Sequence, residues 1–432
     1  MAIAWPGYIS YDSALQLLQG RAESYNTWHP PVMAWLLGVA DATVPGAGLF
    51  VVFDAALLCA SMVLLLWLRP RPSWAAALVA ALCVLSPQFL IYQGIVWKDV
   101  LFADAGVAGF VSLACAGAQW RDMRLRFVFI AAAVVLLVLA ALTRQNGIIV
   151  VLFGAIAVAA IAGTYAGRHR IREAIRYGVG TLLIAAALFV GISLALETRG
   201  DDGYGRLSQI KALQLYDIAG MVAAQPDLKL DDLHKSRPEL EALIRSDGAR
   251  LFSPQSADSL VMSPALQKAI VVTPEKRLLD QWLDLIGRHF GLYLRVRAEI
   301  FRWVTLTPDI GKCHPYYVGV SGPPNAMRQL GLDERPRARD IALSNYGRYF
   351  VDTPVFSHIP FGVIAIAALL ILFRRRAPAD IAIGFMLVSA LVFVLTFFVI
   401  SIACDYRYLY YLDLSALVAS FYLALSVRAS RA

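Results

Sequence analysis

The chain has 432 residues, 59% of them hydrophobic and only 16% charged, with a mean hydropathy of +0.62, too apolar a mixture for soluble domains. Its net charge of +8 does not point to nucleic acid as a partner, because the arginines cluster at the ends of apolar runs, where they set topology. Five cysteines with no CxxC or Cys/His spacing exclude a zinc cluster or a redox motif on sequence grounds. Apolar runs of about twenty residues, rather than short alternating segments, exclude a transmembrane β-barrel.

Residues 1–47 are not a signal peptide, since Met1 to Trp5 is too short for the apolar region and no basic stretch precedes it. Within them, 32–42 (VMAWLLGVADA) is apolar but too short to span, which predicts an interfacial helix leading past Pro45 and Gly46 into the first crossing. Runs at 48–68, 75–95, 99–118, 127–143, 147–166, 177–196, 355–373, 381–402 and 408–427 predict about nine crossings. One set of loops carries Arg69 and Arg71, Arg121, Arg124 and Arg126, Arg168, Arg170, Arg172 and Arg176, Arg374 to Arg376, and Arg428 and Arg431. By the positive-inside rule these loops and the C-terminus are cytoplasmic, and 1–47, the turns near 97, 144 and 405, and segment 197–354 are extracytoplasmic.

The expected organisation is therefore a first extracytoplasmic loop at 1–47, an N-terminal transmembrane bundle at 48–196, an extracytoplasmic domain at 197–354 and C-terminal transmembrane helices at 355–432. Segment 197–354 holds most of the charges and no run long enough to span, and its pieces read as helical. Residues 279–304 place Trp282, Ile286, Phe290, Tyr293, Leu294, Val296 and Phe301 near a 3.6 period, interleaved with Arg288, Arg295, Arg297 and Arg302. Such a helix either lies flat on the membrane or packs as an amphipathic helix of the domain. The 32 arginines against 7 lysines and the abundant alanine fit a GC-rich bacterium, hence a bacterial inner membrane.

Polar residues gather at the extracytoplasmic face. Asp12 follows Gly-Tyr-Ile-Ser-Tyr, with Tyr11 beside it, and His29 precedes Pro30-Pro31; Lys98 and Asp99 stand where two helices turn; the turns at 143–147 and 404–411 bring Arg144 and Arg407. Singly, each has a structural reading: Lys98, Arg144 and Arg407 snorkel to headgroups, Asp12 caps a helix, and Asp99 forms a plain ion pair. Together, three cations and two carboxylates on one face make what a phosphate-bearing lipid and an acid/base reaction require.

In order along the chain stand Asp12, His29-Pro30-Pro31, Ser86-Pro87, Tyr92, Lys98-Asp99, Leu142-Thr143-Arg144 and Arg407-Tyr408-Leu409. This series resembles the C-type (GT-C) glycosyltransferases, in particular the branch of protein O-mannosyltransferases and lipid A aminoarabinose transferases, over 1–165 and more weakly 400–427. The resemblance implies a GT-C-like all-α bundle with a mainly helical extracytoplasmic domain. It implies sugar transfer from a polyprenyl-phosphate donor to a hydroxyl on a glycan, lipid or protein, with inversion. Asp12 would be the general base and Asp99 a second acidic residue that orients the acceptor or a cation. Lys98, Arg144 and Arg407 would hold the donor phosphate, and His29, Tyr11, Tyr92 and Tyr408 are candidates to touch substrate. No cofactor is expected, and with no Asp-x-Asp pair near Asp12 a metal-independent route is favoured over a divalent ion. Members of that family open with a spanning helix before the acidic loop. Here either the start lies upstream, with Met1 to Trp5 as a stub, or the helix is dispensed with.

Two other classes fit parts of the pattern. A lipid-linked sugar transporter or an O-antigen-type polymerase would share the spans and the external arginines, although no repeat is visible and the acidic residues within spans are mainly Asp54 and Asp104. An assembly scaffold would explain 197–354 but not the clustered charges. Of the cysteines, Cys313 and Cys404 fall outside the spans, so that either a disulfide or two buried thiols follow.

Overall fold

The computed structural model describes residues 4–25, 30–69, 73–197 and 209–426. Among these residues every regular element is helical, and strand-like pairing is limited to three isolated bridges. The principal helices in chain order are α1 (Tyr11–Ala22), α2 (Pro31–Thr43), α3 (Gly48–Leu68), α4 (Trp74–Leu85), α5 (Pro87–Leu90), α6 (Lys98–Ala118), α7 (Met123–Thr143), α8 (Ile148–Tyr165), α9 (Arg170–Glu197), α10 (Gln209–Ala224), α11 (Glu275–Arg288), α12 (Phe290–Leu306), α13 (Pro324–Leu330), α14 (Ala338–Arg348), α15 (His358–Arg375), α16 (Pro378–Ile400) and α17 (Tyr410–Ala424). Shorter helical turns fill the stretch between α10 and α11.

Seven of the described helices, α3, α6, α7, α8, α9, α15 and α16, are long and apolar enough to cross a membrane. α4 and the segment Pro87–Gly94 would make an eighth if they form one broken span, for they meet at a bend of 60°. The straight span expected over 75–95 fails at Pro87: Ser86 takes the extended conformation that a residue before proline prefers, and Pro87 then opens a new helix. The last expected span, 408–427, contains a helix of only 15 residues, preceded by the 3-10 turn Tyr406–Leu409. The stretch still runs the length of the bundle, from Tyr410, whose hydroxyl donates to the Gln88 carbonyl at 2.8 Å, to Ser426, which accepts from Arg375 of an arginine-rich loop at 2.7 Å. Most of it is enclosed by other helices, and its Asp413 is paired with His358 Nδ1 at 2.9 Å, both side chains buried.

The chain forms two compact units, one comprising Met1–Gly200, Tyr316–Val394 and Leu409–Ala432, the other Asp201–Pro315 and Leu395–Tyr408. Residues 316–354, which their polarity assigns to the extracytoplasmic domain, thus pack with the membrane bundle. The reasons are local: Ile9 N–H donates to Gly319 at 3.0 Å, Ser321 N–H donates to Ile9 at 2.8 Å, and Tyr316 stacks on Phe356.

In the first unit α6 is buried along its whole length, packed by α3, α7 and α17. Its run of Ala, Gly and Ser permits this, since small side chains let helix backbones approach where lipid provides no hydrophobic drive. At one end of this bundle the loops carry Arg69, Arg121, Arg124, Arg126, Arg168 and Arg374 to Arg376. At the other end α1 and α2 form a hairpin whose backbones touch: a Cβ on Gly38 would lie 2.4 Å from the Gly20 carbonyl oxygen. Arg21 locks this hairpin with two bonds to Asp41, at 2.7 and 2.8 Å, and the Gly46 N–H donates to the same carboxylate at 2.7 Å. The Arg21 hydrogen bonds, helped by Gly46, hold the Asp41 carboxyl below the usual range against the opposing effect of burial.

The second unit is built on α10, α11 and α12. Arg297, wholly buried, pairs with Asp217 at 2.9 Å, and Trp282 Nε1 donates to the other Asp217 oxygen at 2.9 Å. The same guanidinium donates to the carbonyls of Phe398 at 2.7 Å and Ser401 at 3.0 Å, so it closes the C-terminal end of α16, where unpaired carbonyls carry partial negative charge. Cys313 and Cys404 form a disulfide with Cα atoms 5.0 Å apart. The continuous helix expected over 279–304 is broken at His289 into α11 and α12.

Candidate functional site

The end of the bundle opposite the arginine-rich loops is knit together by the chain around residue 8. Tyr8 N–H donates to Gly94 at 2.7 Å and Val96 N–H donates to Tyr8 at 3.0 Å, a short parallel pairing that fixes the start of α1 beside the start of α6. Side chains repeat the tie: Trp97 Nε1 donates to Ser10 Oγ at 3.0 Å, Ser10 Oγ bonds Ser13 Oγ at 2.9 Å, and Ser13 Oγ donates to the Val96 carbonyl. Asp12 lies between Ser10 and Ser13 in sequence, and Lys98-Asp99 directly follow Trp97, so the ties bring together the chain segments, 80-odd residues apart, that carry these residues. Burial, reinforced by Asp340, pushes the nearby Tyr8 phenol up to about 12.

Asp12 is half-buried and is the second residue of α1; the cap position falls at Ser10, so Asp12 does not cap the helix. Its carboxylate still lies in the first turn, where the helix dipole favours negative charge. Tyr11 is 55% exposed. Lys98 is half-buried at the first position of α6. Asp99, 2% exposed, forms an ion pair with Arg144, which follows the last residue of α7 and whose guanidinium stands 5.5 Å from the centre of the Phe393 ring. Beside Arg144 opens a cavity of about 200 Å³ walled by Pro31, Val32, Leu142, Gln145 and Phe189. A cation paired with a carboxylate at the edge of an apolar cavity suits a ligand with a polar head and an apolar tail.

The remaining candidates stand differently. Tyr92 is fully buried, stacked on Tyr410 at 4.5 Å and edge-on to Trp97 at 5.8 Å, so its ring is part of the packing beneath the site. Arg407 and Tyr408 belong to the second unit, where Arg407 pairs with Asp405 at 2.9 Å and Tyr408 stacks on Phe397 at 5.7 Å. His29 lies outside the described residues. Among the described residues no group of three or more His, Cys, Asp or Glu is placed to hold a metal ion.

Two pairings were not read from the sequence. Ser10 and Ser13 carry no signal beyond their spacing, yet they bind the two loops together. Asp54 of α3 and Asp104 of α6, 3% and 0% exposed, are buried close to each other, with Gln93 Nε2 donating to Asp104 at 2.8 Å and lying 3.3 Å from the Tyr410 hydroxyl. Two acids at matching depths of the first and third apolar runs are the signal that would have paired them.

Fold and site define an all-α, multi-pass membrane protein with an apolar cavity bordered by an ion pair at one end of its helices. No protein-family model matches the chain, and no curated protein matches it in sequence. Among solved structures it is similar to the archaeal oligosaccharyltransferase AglB from Archaeoglobus fulgidus in complex with an inhibitory peptide and a dolichol-phosphate, with 14% identity over 97% of this chain and a TM-score of 0.40. The apo form of the Archaeoglobus fulgidus oligosaccharyltransferase matches with 14% identity and a TM-score of 0.39. The chain spans 46% of the length of each of these structures.

Proposed function

We propose that this protein is an integral-membrane glycosyltransferase that moves a sugar from a polyprenyl-phosphate donor to a hydroxyl acceptor at the extracytoplasmic face of a bacterial inner membrane, inverting the anomeric centre. The observation that carries the reading is the Arg144–Asp99 pair at the mouth of an apolar cavity, on the same end of the bundle as a half-exposed Asp12. In the reaction the acceptor oxygen bonds to the anomeric carbon as its proton passes to Asp12. The bond from that carbon to the phosphate oxygen breaks, and the electron pair leaves with the lipid phosphate. Lys98 and Arg144 would meet the charge that grows on that phosphate, which favours the transition state over the bound donor. The arginine-rich loops at the opposite end support the orientation by the positive-inside rule.

One observation favours a second reading. The buried Asp54–Asp104 pair is the kind of intramembrane acid found in transporters, so flipping of the lipid-linked sugar without cleavage is the competing activity. The test is purified protein in liposomes with a labelled polyprenyl-phosphate sugar and a hydroxyl acceptor. Transfer predicts labelled acceptor and free polyprenyl phosphate; label that crosses the bilayer still attached to lipid would contradict the proposal and favour the transporter.

A further inference from the structure

The depth of α12 relative to the bilayer is fixed inside the second unit itself. That unit includes the last turn of α16, a 23-residue span whose length of about 34 Å carries it just through the hydrocarbon layer. Arg297 of α12 donates to the carbonyls of Phe398 and Ser401, and the rings of Phe301 and Phe398 meet at 5.6 Å. The second half of α12 is therefore held level with the point where α16 leaves the hydrocarbon.

At 100° per residue the faces of α12 separate cleanly. Tyr293, Val296, Arg297, Ile300 and Val304 are buried in the unit. Phe290, Leu294 and Phe301 share one flank, and of these Phe290 is 56% and Leu294 36% exposed. Beyond that flank lie the exposed Arg295 and Arg302, the latter 3.2 Å from Glu299 on the outer edge. On α16, Leu395 and Val399 flank Phe398 and are 62% and 45% exposed, as residues facing lipid are. The apolar flank of α12 thus runs into the lipid-facing end of a span through the Phe301–Phe398 contact, bordered by arginines on its outer side.

We infer that α12 is an in-plane interfacial helix that beds Phe290, Leu294 and Phe301 in the acyl boundary of the bilayer and offers Arg295 and Arg302 to anionic phosphate headgroups. Continuity with the span selects lipid as the occupant, and the sign of the bordering charges selects anionic lipid. The break at His289 confines this role to α12, leaving α11 free to turn away from the surface.

The test uses the full chain in nanodiscs containing anionic phospholipid. Cys59, Cys83 and Cys115 are replaced by alanine and the Cys313–Cys404 bond is left intact, and an environment-sensitive fluorophore is attached at Phe290→Cys, Leu294→Cys or Glu299→Cys, all partly or wholly exposed positions. The expected result is blue-shifted emission at 290 and 294, quenched by a spin label on the lipid chain, with water-like emission at 299 quenched by iodide. Iodide quenching at all three sites, or a blue shift at 294 that the lipid-borne quencher does not touch, overturns the proposal; the second result means that protein covers the flank. The shift at 294 should also shrink in purely neutral lipid and in Arg295→Glu/Arg302→Glu, and an unchanged shift in both overturns the headgroup assignment.

Discussion

The Cys313–Cys404 disulfide offers a perturbation whose size follows from the chain topology. The two residues are 91 apart in sequence, and the loop-closure relation assigns about 4.6 kcal/mol to a crosslink of that length in a freely coiling unfolded chain. The unfolded reference is less free here, because α15 and α16 lie within the loop and stay inserted when tertiary packing is lost. Counting only the roughly 50 residues outside the two spans lowers the figure to about 4 kcal/mol, and native disulfides commonly deliver 2–4. Cys313→Ser/Cys404→Ser is therefore expected to lower the stability of the second unit by about 2–4 kcal/mol, read as a lower unfolding temperature of its tryptophans in detergent. The first unit's own transition should be unmoved. Mass spectrometry of wild-type protein alkylated without reduction should find Cys59, Cys83 and Cys115 modified after unfolding and Cys313 and Cys404 protected. Alkylation of both without reduction, or an unchanged unfolding temperature in the double variant, would refute the reasoning.

Breaking the Asp99–Arg144 pair from either side should cost about 3–5 kcal/mol, because each leaves a buried charge without its partner, whereas Asp99→Asn/Arg144→Met together should cost much less than the two singles combined; a thermal-stability double-mutant cycle with no coupling contradicts this. Gly38→Ala should destabilise by about 1–3 kcal/mol, since its Cβ meets the Gly20 carbonyl, while Gly180→Ala, which meets nothing within 4 Å, should be neutral or stabilising. Asp41 has a lowered folded-state pKa, so its pair with Arg21 contributes stability that is present above the unfolded carboxyl value and lost as pH falls through the folded one. The gap between wild type and Asp41→Asn should accordingly be full near neutral pH and close at pH values well below about 4; a gap independent of pH would contradict the assignment.

The membrane helices were legible because the hydrocarbon layer imposes a length and a composition that no local propensity can mask, and the alternation of arginine-rich loops follows from the same constraint. What escaped has physical causes. Hydropathy sums across Ser86-Pro87 and sees one run, although the proline both lacks an N–H and restricts the residue before it, and the bend results. The enclosure of the last span was not legible because apolar content cannot distinguish a helix facing lipid from one surrounded by other helices, and α17 carries Asp413 only because His358 reaches it. Polarity likewise assigned 316–354 to the domain, whereas backbone pairing with residue 9, invisible in composition, draws its start to the bundle. In the site, an ion pair for Asp99 was legible as one of its two readings and its partner was not: that Arg144 supplies the cation depends on α6 and α7 packing side by side.

The proposed removal of the acceptor proton by Asp12 is tested most directly by the turnover of Asp12→Asn in the liposome transfer assay with saturating polyprenyl-phosphate sugar. Because the amide keeps the shape of the carboxylate and cannot take the proton, kcat should fall about a hundredfold or more with donor binding and folding retained. Near-normal turnover in Asp12→Asn would contradict it.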